Sequence, residues 1–220
     1  TAESLSIFRF KIKDEGKKVD FLAKKKKKNL LPILSKIKDL DLSKPKTLEL
    51  PSLGSPKISH KITFQDREKF TVETYEQRET GEKILIRTSE YENGQCIKKT
   101  DLYPNGKQSE IKKQMPNGHV EIQIYNEREG RTFLQATIIE DNLSNSVKTM
   151  YYDEGQLTNI DEYDPQNHKI KKTSNYSRDG HLIESREFTY EGNKKKGLLR
   201  GYYNNDGTLN KVEENDSTTR

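Results

Sequence analysis

The sequence predicts a mainly β fold: a long antiparallel meander of tandem hairpins, open, curved and partly single-layered, with one N-terminal amphipathic helix. Three observations carry that prediction. Turn glycines recur at 81, 94, 106, 118, 130, 155, 180, 192 and 207, most of them at a beat near 12.5 residues. Tyr, Ile, Val, Leu and Thr fill the stretches between them. Hydrophobic residues are only 30% of the 220, against 34% charged and no tryptophan. Ordinary globular domains carry about 45–50% apolar residues with glycine included. A parallel sheet covered on both faces needs more apolar residues than this.

Residues 1–41 form a basic segment with one helix. Asn29 caps it, because its side-chain oxygen can accept from free N–H groups of the first turn. Pro32 falls in that turn, where a missing N–H costs little. Leu30, Ile33, Leu34, Ile37 and Leu40 then make one apolar stripe, expected to pack on the rest of the fold. Residues 42–60 read as a linker, since Pro45, Pro51, Gly54 and Pro56 interrupt any periodicity. Residues 61–220 are the repeat domain, opening with strands at 61–66 and 69–76.

A period near 12.5 residues fits a strand of about eight residues plus a turn of about four. Asn93-Gly94, Asn105-Gly106, Asn117-Gly118, Asp179-Gly180 and Asp206-Gly207 tolerate the positive φ that tight turns need. Where the beat doubles, Asp141 to Ser146 and Asn167-His168 occupy the turns. Crossovers between parallel strands need a dozen residues or more, so the strands run antiparallel. Eleven strands are expected from 82 to 213 and about thirteen in all. Open twisted sheets beyond about ten strands curl, split or close, so a closed up-and-down barrel is the alternative architecture.

Tyrosines stand near the turns on the same beat. With Leu157, Leu182 and Leu209 past the turns, they suggest repeated cross-strand pairs. Tyr91, Tyr103, Tyr152, Tyr163, Tyr176 and Tyr203 are also the candidate anchors for a protein partner, since tyrosine is enriched at binding hot spots.

Charge is asymmetric. Residues 1–60 hold 15 Lys and Arg against 7 Asp and Glu, whereas the remainder is slightly acidic. Lys24, Lys25, Lys26, Lys27 and Lys28 precede the helix N-terminus, where the helix dipole disfavours cations. This run is therefore a candidate contact for nucleic acid, an anionic surface or an import receptor.

Catalytic and metal motifs are not evident. His60, His119, His168 and His181 lack metal-ligand spacing. His168 and His181 follow successive turns at a spacing of 13, which could put them on one edge; both are expected as solvated turn residues. Cys96, a single thiol, is expected to fill an apolar slot. Glu140-Asp141 and Asp161-Glu162 are neighbours on strands and face opposite ways. The expectation is a protein that is not an enzyme and uses no cofactor or metal.

Tyr163-Asp164-Pro165-Gln166-Asn167-His168-Lys169-Ile170-Lys171-Lys172-Thr173, then Tyr176-Ser177-Arg178-Asp179-Gly180, resembles the Y-D-P-x-T-G-K-x-I-K-x-T and Y-N-x-D-G element of a repeat domain of unknown function found in phytoplasmas. Tyr202-Tyr203-Asn204-Asn205-Asp206-Gly207-Thr208-Leu209 resembles its Y-Y-N-x-D-G-T-I phrase. Tyr91-Glu92-Asn93-Gly94-Gln95 is more loosely similar to MORN-variant repeats. The first likeness covers residues 151–215 and the second about 88–215. Asn167-His168 stands where the pattern has Thr-Gly. The resemblance implies tandem hairpins in a secreted bacterial protein with a host protein as partner. A bacterial partner is the other expectation, and the expected location after secretion is the host cytoplasm or nucleus. The resemblance implies no activity. Two alternatives stay open: a nucleic-acid-binding or nuclear protein acting through the basic arm, and a barrel holding a small apolar ligand. A monomer or an edge-paired dimer is expected.

Overall fold

The computed structural model describes residues 46–51, 55, 57–66 and 68–216. The expected helix and the Lys24–Lys28 run lie outside the described residues. Fourteen strands follow one another: β1 (Lys46–Pro51), β2 (Ile58–Phe64), β3 (Lys69–Gln77), β4 (Lys83–Glu92), β5 (Gln95–Leu102), β6 (Gln108–Gln114), β7 (Val120–Arg128), β8 (Arg131–Glu140), β9 (Ser146–Asp153), β10 (Gln156–Tyr163), β11 (Ile170–Tyr176), β12 (Leu182–Glu191), β13 (Lys194–Tyr203) and β14 (Leu209–Asp216). Strand order is chain order without a crossover, and β1 and β14 are the two free ends. The sheet is therefore open, and the barrel alternative is not formed.

The strands beyond residue 82 fall where the glycine beat puts them. The added strand is β1, which lies inside the stretch read as a linker. Its six residues end on Pro51, and a proline ends a strand without harm at a sheet edge. Leu48 and Leu50 alternate within it and pair with Ile62 and His60 of β2.

Two compact units divide the chain, residues 1–108 and 109–220. In the first, apolar side chains gather on one face of β1–β4. Leu50, Ile62, Phe64 and Phe70 are buried, with Leu48, Val72 and Tyr91 packed against them. Register explains the grouping: Phe64 pairs with Phe70, and Phe70 pairs with Tyr91. Phe70 and Tyr91 stack with centroids 4.7 Å apart and planes 3° from parallel.

The second unit has a thinner apolar core, Ile122 and Ala136. Its other buried positions are small and polar: Thr137, Thr149, Asp161 and Ser185. In such a sheet, small central side chains are covered by longer neighbours on the adjacent strands.

Turns explain the regular beat. Asn93-Gly94 has φ of 51° and 75°, the paired left-handed geometry of a two-residue hairpin. A five-residue form closes others, as at 103–107, where the Tyr103 amide donates to the Lys107 carbonyl at 2.7 Å. The same form operates without glycine at 141–145. There Ser144 holds φ 65° while the Asp141 carboxylate accepts from the Leu143 and Asn145 amides, both at 2.8 Å. Those bonds lower the Asp141 pKa, the Asn145 amide first, and replace the freedom a glycine supplies. At 164–169, His168 takes the left-handed position (φ 56°), and Asp164 accepts from the Gln166 and Asn167 amides.

Nine of the pairings among the described residues also carry a register shift. In each, the extra residue sits on the strand leaving the turn, shortly past it, as at Thr158, Lys171 and Ile183. Such bulges increase local twist and reverse the facing of the residues between bulge and turn.

Candidate binding face

Within residues 109–220, register lines up two rows of side chains on one face. The first runs Ile122, Ile138, Thr149, Asp161, Thr173, Arg186, Arg200, Glu213 across β7–β14. The second runs Ile124, Ala136, Tyr151, Asn159, Asn175, Glu184, Tyr202, Lys211. The rows begin apolar and become polar, aromatic and charged from β9 onward.

Hydrogen bonds tie these rows together. Thr173 Oγ1 donates to Asp161 Oδ1 at 2.7 Å, and Asn159 Nδ2 donates to the same oxygen at 3.1 Å. Asn175 Nδ2 donates to Glu184 Oε2 at 2.9 Å. Arg186 grips Glu184 with Nε to Oε1 at 3.0 Å and Nη2 to Oε2 at 2.9 Å. Arg200 Nε lies 3.0 Å from Glu184 Oε1, off its N–H axis, so that contact is ionic. Arg200 Nη1 donates to the Tyr202 hydroxyl at 3.2 Å, which donates to Glu213 Oε2 at 3.1 Å.

The charges follow from these contacts. The Arg186 hydrogen bonds hold Glu184 below the usual carboxylate range, against the opposing effect of burial. Glu213 is lowered by Lys211 first and then by Tyr202. Arg186 and Arg200 stand directly opposite each other, an arrangement that repels. Glu184 between them offsets it. Tyr151 is 39% exposed, with its pKa raised by burial and then by Tyr163 and Asp161. What this face can do is hold a partner by hydrogen bonds, ion pairs and tyrosine rings, from side chains already fixed by one another.

The six tyrosines singled out from sequence do not form one patch. Tyr91 is stacked on Phe70 in the first unit, and burial, with help from Cys96, pushes its phenol up to about 12. Tyr103 is half-buried at the 103–107 turn. Tyr152, Tyr176 and Tyr203 lie on the face opposite the two rows, opposite Leu157, Leu182 and Leu209 as the turn spacing predicts. They work as sheet-building pairs. The Tyr152 hydroxyl reaches Met150 Sδ at 3.8 Å, and that of Tyr203 lies 3.1 Å from Ser185 Oγ. Gly201 leaves room for that ring, since a Cβ there would sit 3.1 Å from Ser185 Oγ. Tyr163 alone belongs to the face with the rows, beside Tyr151.

Sequence reasoning missed Tyr151, Asn159, Arg186, Arg200 and Tyr202. The available signal was a polar pair two residues apart in each of five consecutive strands, from Asn159 and Asp161 to Lys211 and Glu213. His168 and His181 do not share an edge. β11 runs between their turns, and a meander puts successive turns at opposite ends. Cys96 is half-buried opposite Tyr91, its thiol pushed up by burial. Among the described residues no group of three His, Cys, Asp or Glu side chains could hold a metal ion.

An open depression of about 530 Å³ in the first unit is rimmed by Glu49, Lys61, Tyr75 and Lys83. Lys61 pairs with Glu73 at 3.0 Å, and Tyr75 donates to the same carboxylate at 3.2 Å. Its charged, open rim differs from the enclosed Ile, Leu and Tyr cavity that a small apolar ligand requires.

No family model matches the chain, and no curated protein matches it. Solved structures give low-scoring similarities. The pneumococcal O-GlcNAc transferase GtfA in complex with UDP and GlcNAc has a TM-score of 0.23 at 11% identity, over 54% of this chain and 19% of that one. The GtfA/B complex has a TM-score of 0.22 at 10% identity, over 61% of this chain and 22% of that one.

Proposed function

We propose that this chain is a non-enzymatic binding protein, secreted by a bacterium, whose residues 109–220 offer an extended sheet face to a partner protein. The resemblance to the phytoplasma repeat domain supplies the secreted, host-directed part of this reading. The observation that supports binding is the pair of side-chain rows from β9 to β14. Tyrosine and arginine are the residues that most often anchor protein interfaces. Here Tyr151, Arg186, Arg200 and Tyr202 are held by neighbours before any partner arrives, which reduces the ordering cost of association.

The test is capture and cross-linking of a partner by the full chain and by two variants. Tyr151→Ala/Arg186→Ala removes two partly exposed members of the rows. It is expected to weaken partner binding by roughly tenfold to a hundredfold while the far-ultraviolet dichroism stays unchanged. Replacement of Lys24–Lys28 by alanine tests the second reading, which rests on the basic excess of residues 1–60. If that variant alone loses binding, and binding falls steeply with salt, the basic arm is the contact and the sheet is its scaffold.

A further inference from the structure

Among the described residues β14 pairs with β13 alone, so its outer edge carries backbone donors and acceptors with no strand beside them. Natural sheets commonly shield such an edge with lysine, proline, a bulge, inward-pointing charge or a covering element. β14 carries Lys211 and a bulge at Asn210, yet exposed apolar surface also gathers here. Val212 and Leu209 on β14 and Leu199 on β13 are 50%, 55% and 42% exposed, and all three stand on the face opposite the two rows. The other face of β14 carries Lys211 and Glu213, which contact each other at 2.5 Å.

We infer that β14 pairs with β14 of a second copy of this chain, antiparallel and about a two-fold axis through Val212. Register selects this arrangement. Two identical strands joining edge to edge continue the same face only if each residue meets one of matching facing. That leaves registers centred on single residues. Centring on Lys211 puts two lysines opposite each other, and centring on Glu213 or Glu214 does the same with carboxylates. Directly opposed like charges destabilise a strand pair. Centring on Val212 puts each Lys211 opposite the other chain's Glu213, within the regular stretch of β14 that follows the bulge at Asn210. It also joins the two valines on the apolar face, flanked by both copies of Leu199 and Leu209. The strand is thus self-complementary in charge and in apolar surface at one register only.

The test is sedimentation equilibrium of the full chain from micromolar to millimolar concentration. The wild type is expected to rise from the 25.6 kDa monomer to twice that mass. Lys211→Glu and Glu213→Lys, each alone, place like charges opposite and are expected to weaken the dimer by at least about tenfold. The double swap Lys211→Glu/Glu213→Lys restores the complement and is expected to return the dissociation constant to within about threefold of wild type. Val212→Lys puts two lysines on the axis and is expected to leave a monomer. A wild type that stays at 25.6 kDa overturns the inference. So does a dimer that the single charge reversals leave unchanged, because its contact must then lie elsewhere.

Discussion

Phe70→Ala is expected to destabilise the first unit by about 3–5 kcal/mol, the range for removing a buried aromatic ring from a packed core. Phe70 is 6% exposed and lies between two other rings, Phe64 at 5.5 Å and Tyr91 at 4.7 Å. The same variant has a spectroscopic signature. In the wild type, burial holds the Tyr91 phenol at about 12, above its ordinary 10.0. Between those two values the unfolded chain has lost the phenolic proton while the folded chain retains it. The unfolded state then binds fewer protons, so stability falls as pH rises through that window. With allowance for solvent screening, the loss is of order 1–2 kcal/mol. Opening the Phe70 side of the ring to water is expected to bring the Tyr91 titration back toward its ordinary value and to shrink that alkaline loss. Denaturant unfolding across pH, with tyrosinate absorbance, measures both. An unchanged Tyr91 titration in Phe70→Ala contradicts the stacked geometry.

Asp161→Ala is expected to cost about 1–3 kcal/mol, because it removes the shared acceptor of two donors in a covered position. Asp161 is 8% exposed and accepts from Thr173 and Asn159 through one oxygen. Asp161→Asn keeps a carbonyl oxygen of the same shape and is expected to lose less. A double-mutant cycle with Thr173→Val separates the bond from general disruption. With the hydroxyl gone, removal of the carboxylate is expected to cost less, by roughly 0.5 kcal/mol or more. Additive losses are the contrary result. Since Asp161 links β10 to β11 at the centre of the polar rows, its loss is also expected to loosen the Tyr151 side of the binding face.

Much of the fold was readable because turn chemistry is local. Asn-Gly and Asp-Gly pairs declare a left-handed backbone without reference to anything distant, and Ile62, Phe64, Phe70 and Val72 alternate in plain view. β1 was harder to see. Its alternation spans only Leu48 and Leu50, and its one proline, Pro51, tolerable at an edge, reads as linker punctuation. The bulges were not legible at all. A residue such as Thr158 or Ile183 has no composition that marks it as extra, yet each one reverses the facing of the residues beside the turn. That reversal separates Tyr163 from Tyr152 and Tyr176, so six tyrosines on one sequence rhythm do not share a surface. The same rhythm misplaced the histidines: even spacing from turn to turn hides the fact that successive turns lie at opposite edges. Conversely, the residues of the candidate face follow from two-residue alternation plus strand register. The alternation is in the sequence and the register is not.

The most direct test is a set of backbone proton contacts across the strands of residues 109–220, measured by nuclear Overhauser effects. The predicted result is that Thr173 contacts both Asp161 and Arg186, and that Arg200 contacts both Arg186 and Glu213. Helical connectivities through β9–β14, or contacts that join strands out of chain order, contradict the meander and with it the continuous face.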